Sequence, residues 1–277
     1  NNNSKKTSLN YELMYDVSKV HSLSFKGYAS ILHYDTDSKT NFDDRDEQIQ
    51  IYSVSHIYDN RNDFRVKTSF DVNVSKLQYI FAERSANNYT NRIYKFTSES
   101  EYSILPNLIT KNSFQVLANY TVYDFEDIIS QIKSFSYRQL NLKDSTLYEM
   151  NKHISFEIFG EAKIYEQGEF NNNQFSINPV FYNVDKSAFF QLNYRVNSLV
   201  KISGKTSFFE QQIYNYQDGN KQLKSTFSTS SLMGKIFFYL GKNSLINFTY
   251  SVDYLKYDAE EQNYNTNSIS LNVFYNF

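Results

Sequence analysis

The chain has 277 residues, a mass of 32.7 kDa and a formal net charge of −2, with Gly 7, Pro 2, Cys 0 and Trp 0 against Tyr 25 and Phe 24. Lack of cysteine excludes disulfides, thiolate metal sites and cysteine nucleophiles. The 18% aromatic content excludes disorder, the near-neutral charge excludes a nucleic-acid partner held by bulk electrostatics, and no apolar run approaches the roughly 20 residues of a spanning helix.

A polar lead-in, Asn1–Lys6, opens the chain without an initiating Met or an apolar leader, so the numbering is expected to start after a cleavage or within a longer precursor. From residue 7 onward the pattern is two-residue alternation, the signature of strands. Leu9, Tyr11, Leu13, Tyr15 and Val17 oppose Ser8, Asn10, Glu12 and Asp16. Phe64, Val66, Phe70, Val72 and Val74 oppose Arg65, Lys67, Ser69, Asp71 and Asn73. The same reading holds for Phe114–Val122, Ile154–Ile164, Phe190–Val196, Ile246–Tyr254 and Ile269–Phe277. Runs 46–59 and 134–150 alternate poorly and are candidate sites of bulges. About 13 strands are counted, which for an even-numbered barrel suggests about 14.

The breaks alternate in length. Short turns are expected near Ser18–Val20, Asn60–Asn62, Asn151–Lys152, Val196–Ser198 and Gly241–Asn243, with a compact connection at Pro106–Lys111. Longer polar loops are expected at Asp35–Asp46, Arg84–Asn91, Glu126–Lys133, Glu169–Lys186, Gln217–Lys221 and Ala259–Asn265. Both prolines, Pro106 and Pro179, fall in these connections. Runs of roughly 10 to 16 residues exceed the 5–6 of sandwich strands and match the 9–11 of strands that span a bilayer. The fold class predicted is all-β: a closed antiparallel up-and-down transmembrane β-barrel over 7–277, apolar side chains outward and polar ones inward. A soluble β-sandwich or lipid-binding cradle with the same alternation is the competing reading.

The last run, with Leu271, Val273 and Tyr275 spaced by two and ending in Phe277, resembles the C-terminal strand of bacterial outer-membrane β-barrel proteins. The resemblance identifies a superfamily and no particular family. It implies outer-membrane localisation, lipid as a partner, and an aromatic-ended signal read by the barrel-assembly machinery during biogenesis. It also implies that short turns are periplasmic and long loops extracellular.

Projecting the alternation inward gives a mixed-charge lumen. The acids are Glu12, Asp16, Asp71, Glu99, Glu101, Glu157, Glu161 and Asp253; the bases are Lys26, Arg65, Lys67, Lys95, Lys163, Arg195, Lys201 and Lys205. Such charges need water or each other, because an isolated charge in a low-dielectric interior is costly. Their near balance predicts weak ion selectivity. No catalytic residue, metal site or cofactor is assigned. The histidines His21, His33, His56 and His153 fit no paired metal spacing and read as interfacial side chains. His33 with Asp35 and Asp37 is the sole local candidate for a barrel enzyme, and the Asp43–Asp46 cluster reads as a solvated charge run. Outward Gly27, Gly160, Gly204 and Gly234 read as strand bends or points of close approach. A passive porin-like channel is the expected function. The alternative is an anchor whose extracellular loops dock a surface or envelope protein.

Overall fold

A strand that alternates apolar and polar side chains needs a backbone partner on each edge and a different environment for each face. The computed structural model describes residues 2–37, 40–128, 132–217, 219–240, 244–258 and 262–275. Thirteen strands are found there: β1 (Asn2–Asp16), β2 (His21–Thr36), β3 (Arg45–Asp59), β4 (Phe64–Tyr79), β5 (Tyr89–Leu105), β6 (Leu108–Tyr123), β7 (Phe135–Glu149), β8 (Ile154–Asn171), β9 (Ser176–Arg195), β10 (Val200–Gln217), β11 (Asn220–Tyr239), β12 (Leu245–Tyr257) and β13 (Gln262–Phe274). They form one sheet in which spatial order equals chain order, an antiparallel up-and-down meander. The chain divides into two compact units, Asn1–Glu99 with Phe114–Leu140 and Tyr165–Tyr182, and Ser100–Ser113 with Asn141–Ile164 and Asn183–Phe277.

The strand count agrees with the alternation, but the strands are longer than read. β1 begins at Asn2 and takes in most of the polar lead-in. β8 and β9 run 18 and 20 residues and leave only 172–175 between them, so the long loop expected at Glu169–Lys186 is strand. Pro179 therefore lies inside β9 and not in a connection. Gly168 accommodates it: a Cβ on that glycine would stand 2.4 Å from the Asn178 carbonyl oxygen and 2.7 Å from Pro179 Cα. The expected loop at Gln217–Lys221 shrinks to the two residues between β10 and β11, where Gly219 takes φ +76°. No bulge interrupts β3, whose register with β2 and β4 is unbroken. Its weak alternation comes from Ile49, Ile51 and Ile57, which share a face with Ser53. A register shift occurs instead at Ile213/Tyr214.

The short turns explain how the chain manages with so little Gly and Pro. Asn60 Oδ1 accepts from the N–H groups of Asn62, Asp63 and Phe64 at 3.1, 3.1 and 2.9 Å, while Arg61 takes φ 63°. Asn151 Oδ1 accepts from His153 and Ile154 (2.8 and 3.0 Å), and Asn197 Oδ1 accepts from Leu199 and Val200 (2.8 and 2.9 Å). Ser18 Oγ accepts from Val20 and His21 in the same way. A side-chain oxygen at the first turn position satisfies the backbone donors that the sheet leaves over.

Burial is inverted relative to a water-soluble domain. Among the described residues the only buried hydrophobic side chain is Phe170, whereas Ser30, Thr121, Asn141, Asn183, Asn193, Ser203 and Ser251 are buried. Large apolar side chains in mid-strand are exposed, among them Phe70, Leu192, Ile202, Leu232 and Tyr250. A soluble sandwich places these classes the other way round. The apolar face is exposed along the sheet rather than packed against a second layer, and the sandwich reading is discarded.

Candidate functional site

Register decides which polar side chains meet. In the first unit, Glu12 on β1 stands opposite Lys26 on β2, with Nζ 2.7 Å from Oε1. Lys26 is in register with Ser53 on β3, and Ser53 with Asp71 on β4. Ser53 Oγ donates to Asp71 Oδ1 at 2.5 Å, and Lys95 Nζ on β5 reaches Asp71 Oδ2 at 3.2 Å. One row across five strands thus reads acid, base, hydroxyl, acid, base. Each member lies on the face opposite Leu13, Phe25, Val54, Phe70 and Tyr94, because neighbours in sequence project to opposite faces.

The second unit builds its polar face differently. Glu101 pairs with Lys111 at 3.1 Å and Glu161 with Lys143 at 3.2 Å. Between them in sequence, Phe159 on β8 stacks on Phe189 on β9 with ring centroids 5.0 Å apart and planes 17° apart. Lys205 Nζ on β10 sits 3.8 Å from the Phe189 centroid, a cation over a ring face. Lys201 is within electrostatic reach of Arg195 and Glu157, and its ammonium lies 5.5 Å from the Phe237 centroid. Further along, Phe209, Phe227, Tyr257 and Tyr264 form a row over β10 to β13 with successive centroids 6.1, 4.6 and 6.2 Å apart. These aromatics share the polar face of their strands.

Neither aromatic group was found by alternation. The available signal was the doubly aromatic or apolar dipeptide, Ile158-Phe159, Phe189-Phe190 and Phe208-Phe209, in which both faces of a strand receive an apolar side chain. On the other face of β10 and β11, the apolar band of Ile202, Phe208, Leu232 and Ile236 gives way to Glu210, Gln212, Ser228 and Thr226. At about 3.3 Å per residue, the 18 residues of β10 exceed what a bilayer core requires. The row through Phe227 belongs to that polar extension.

The other candidate residues scatter. Asp16 and Arg65 line a cleft of about 550 Å³ at the short-turn rim with His21, Asp59 and Arg61, and Arg65 lies 3.9 Å from Asp59. Lys67 is opposite Ile57; Asp253 is opposite Ser231 and Thr266. Glu99 and Lys163 lie on β5 and β8. His33 does not join Asp35 and Asp37: its Nδ1 contacts Asp46 Oδ1 across the β2–β3 hairpin at 2.6 Å. In the acidic run, Asp44 Oδ1 accepts from the Thr36 N–H at 2.7 Å and Arg84 reaches Asp43 at 3.1 Å. His153 Nδ1 donates to the Arg195 carbonyl at 2.7 Å, and His21 and His56 stack at 5.2 Å beside Tyr58 on the apolar face. Tyr120, Phe170 and Phe175 make a third aromatic cluster, with centroids 4.9 to 5.4 Å apart.

Gly27 is a point of close approach, since a Cβ there would meet the Tyr11 ring at 2.2 to 2.4 Å; Gly204 and Gly234 face each other in register with open space above them. Of the C-terminal signal, Leu271 and Val273 lie exposed on β13, Tyr275 follows its last residue, and Phe277 lies outside the described residues.

No protein-family model and no curated protein matches the sequence. Solved structures do match. The ferric-catecholate import receptor Fiu of E. coli K12, in its closed form, superposes with TM-score 0.65 at 8% identity over 91% of this chain and 50% of its own. The copper transporter OprC gives 0.60 at 9% identity over 98% and 56%, and the siderophore receptor PirA of Acinetobacter baumannii gives 0.59 at 9% over 97% and 55%. This is the fold of a bacterial outer-membrane β-barrel. The barrel chain spans about half the length of each of these structures. The exposed apolar band is the face that such a fold turns to lipid.

Proposed function

We propose that this chain forms the wall of a solute-conducting outer-membrane barrel, with its polar face lining a hydrated lumen. The observation that carries the reading is the row Glu12–Lys26–Ser53–Asp71–Lys95, which neutralises its own charge while remaining partly open to water. A self-compensating lining admits ions of both signs with little preference. Bilayer conductance of the protein extracted folded from outer membranes tests it. Stepwise conductance with weak selectivity is expected, and Lys26→Glu with Lys95→Glu should turn the pore cation-selective. Silence of the folded protein overturns passive conduction and favours an anchor docking surface or envelope proteins.

The Phe159–Phe189–Lys205 stack and the row through Phe227 favour a second reading, selective uptake of a solute with a flat or anionic group. Copper transport and ferric-catecholate import, named for the matched structures, give that reading its precedent on this fold. Saturable solute binding that Phe189→Leu abolishes would separate it from passive conduction.

A further inference from the structure

The polar face of the first compact unit carries, at the long-loop ends of its strands, a second row that the ion pairs do not use. Tyr34 on β2 is in register with Arg45 on β3, and Arg45 with Tyr79 on β4. Tyr89 opens β5 and meets Tyr123, the last residue of β6, with ring centroids 5.9 Å apart and planes at 63°. Tyr34, Arg45, Tyr79 and Tyr89 share the face of Lys26, Ser53, Asp71 and Lys95, because an even number of residues separates each from its counterpart on the same strand. All four of these tyrosines are half-buried, whereas Tyr11 and Tyr52 on the apolar face are exposed.

Against this row lies a cavity of about 510 Å³, within the roughly 300–1,000 Å³ of small-solute sites. Arg45, Glu47, Ile49, Leu77, Tyr79 and Tyr89 line it. Arg45 is held in place: its Nε donates to Glu47 Oε1 at 2.7 Å, its Nη1 reaches the Asp43 carbonyl at 3.5 Å, and its guanidinium lies 4.8 Å from the Tyr34 centroid. The charges cancel, since the charged lining residues are Asp43, Arg45, Glu47 and Lys76, and Asp43 also holds Arg84 at 3.1 Å. An anion would have to displace Glu47 from the guanidinium that lines the cavity. A neutral solute with an apolar ring face and a rim of hydroxyls has no such competitor. Tyrosine ring faces attract polarised C–H groups, and the guanidinium, the Glu47 carboxylate, the phenols and the Ser75 hydroxyl supply donors and acceptors for the rim.

We propose that this cavity is a binding site for a neutral saccharide, with a sugar ring seated against Tyr79 and Tyr89 and its hydroxyls on Arg45 and Glu47. The site belongs to the first compact unit and the Phe159–Phe189–Lys205 stack to the second, and the two take different ligands. The inference rests on the reading of the polar face as hydrated, and not on conduction.

Saturation-transfer NMR and calorimetric titration of the folded, detergent-extracted protein test it. The probes are glucose, galactose, mannose, N-acetylglucosamine and their disaccharides, with phenyl phosphate as a flat anion. At least one saccharide should bind saturably, with an affinity that changes less than about twofold between about 0.1 M and 1 M salt, because no ion pair forms on binding. Tyr79→Leu and Arg45→Gln should each weaken it at least about tenfold, whereas Tyr79→Phe, which keeps the ring, should weaken it no more than about threefold. Heat-shifted gel mobility verifies folding of each variant, and Tyr89→Leu serves where Tyr79→Leu does not fold. Binding of phenyl phosphate in preference to every saccharide, failure of all of them to bind the folded protein, or saccharide binding that none of these variants weakens would overturn the proposal. Conductance of the same preparation keeps the two readings apart: an open pore that binds no saccharide sinks the site alone, and a silent protein that binds one sinks conduction alone.

Discussion

The polar faces of β1–β5 and β8–β10 grow from the same alternation, yet one is an ion-pair row and the other an aromatic stack capped by an ammonium. In the first region each charged member of the row meets its complement on an adjacent strand, and Asp71 accepts from two directions. In the second, Lys205 takes a ring face as its partner. The comparison teaches that alternation assigns a side chain to a face without saying how that face is neutralised. Water and salt reach the two solutions differently, since carboxylate pairs are screened by ions and ring contacts far less.

The largest effect should come from violating the face assignment that both regions share. Val72→Lys puts a charge on the lipid side of β4 and should cost about 2–4 kcal/mol near mid-bilayer, whereas Ser69→Lys on the polar side of the same strand should cost less than about 1. Denaturant unfolding in lipid vesicles measures both, and equal costs would break the comparison at its base. Next in size is the node of the ion-pair row. Asp71→Ala should cost about 1 kcal/mol, and a double-mutant cycle with Lys95→Ala should recover a coupling of about 0.2–1, because both side chains are partly exposed.

Phe189→Leu should lose about 0.5–1 kcal/mol, and Lys205→Met should lose no more than that if the ammonium acts through the ring. The smallest and sharpest difference is in salt. Raising ionic strength from about 0.1 M to 1 M shortens the screening length from about 10 Å to 3 Å. The Asp71–Lys95 coupling should then fall by more than half while the Phe189–Lys205 coupling changes little. A parallel decline of both would show that the second region is also held by charge pairing.

Much of this was legible in a single sequence because strand periodicity is local. Side chains two apart share a face whatever the rest of the chain does, so the apolar faces of β4, β6, β8 and β12 could be read directly. The turn positions were legible for the same reason: Asn60, Asn151 and Asn197 act on donors within four residues. The sequence by itself therefore determined an all-β chain, its thirteen strands and the side of the sheet to which most side chains belong.

Tertiary structure decided the rest, because register depends on how tightly each hairpin closes. Expecting a long loop at Glu169–Lys186 hid the pairing that seats Gly168 against Pro179, and nothing local ties His33 to Asp46 rather than to Asp35. Glu12, Lys26, Asp71 and Lys95 were all read as polar-face residues, but only cross-strand geometry joined them into one row. Phe159 and Phe189, 30 residues apart, were brought face to face by the same long-range closure of the ladder. A two-residue period is written in neighbouring residues, whereas the partners of a side chain are chosen by strands that meet only after the chain has turned.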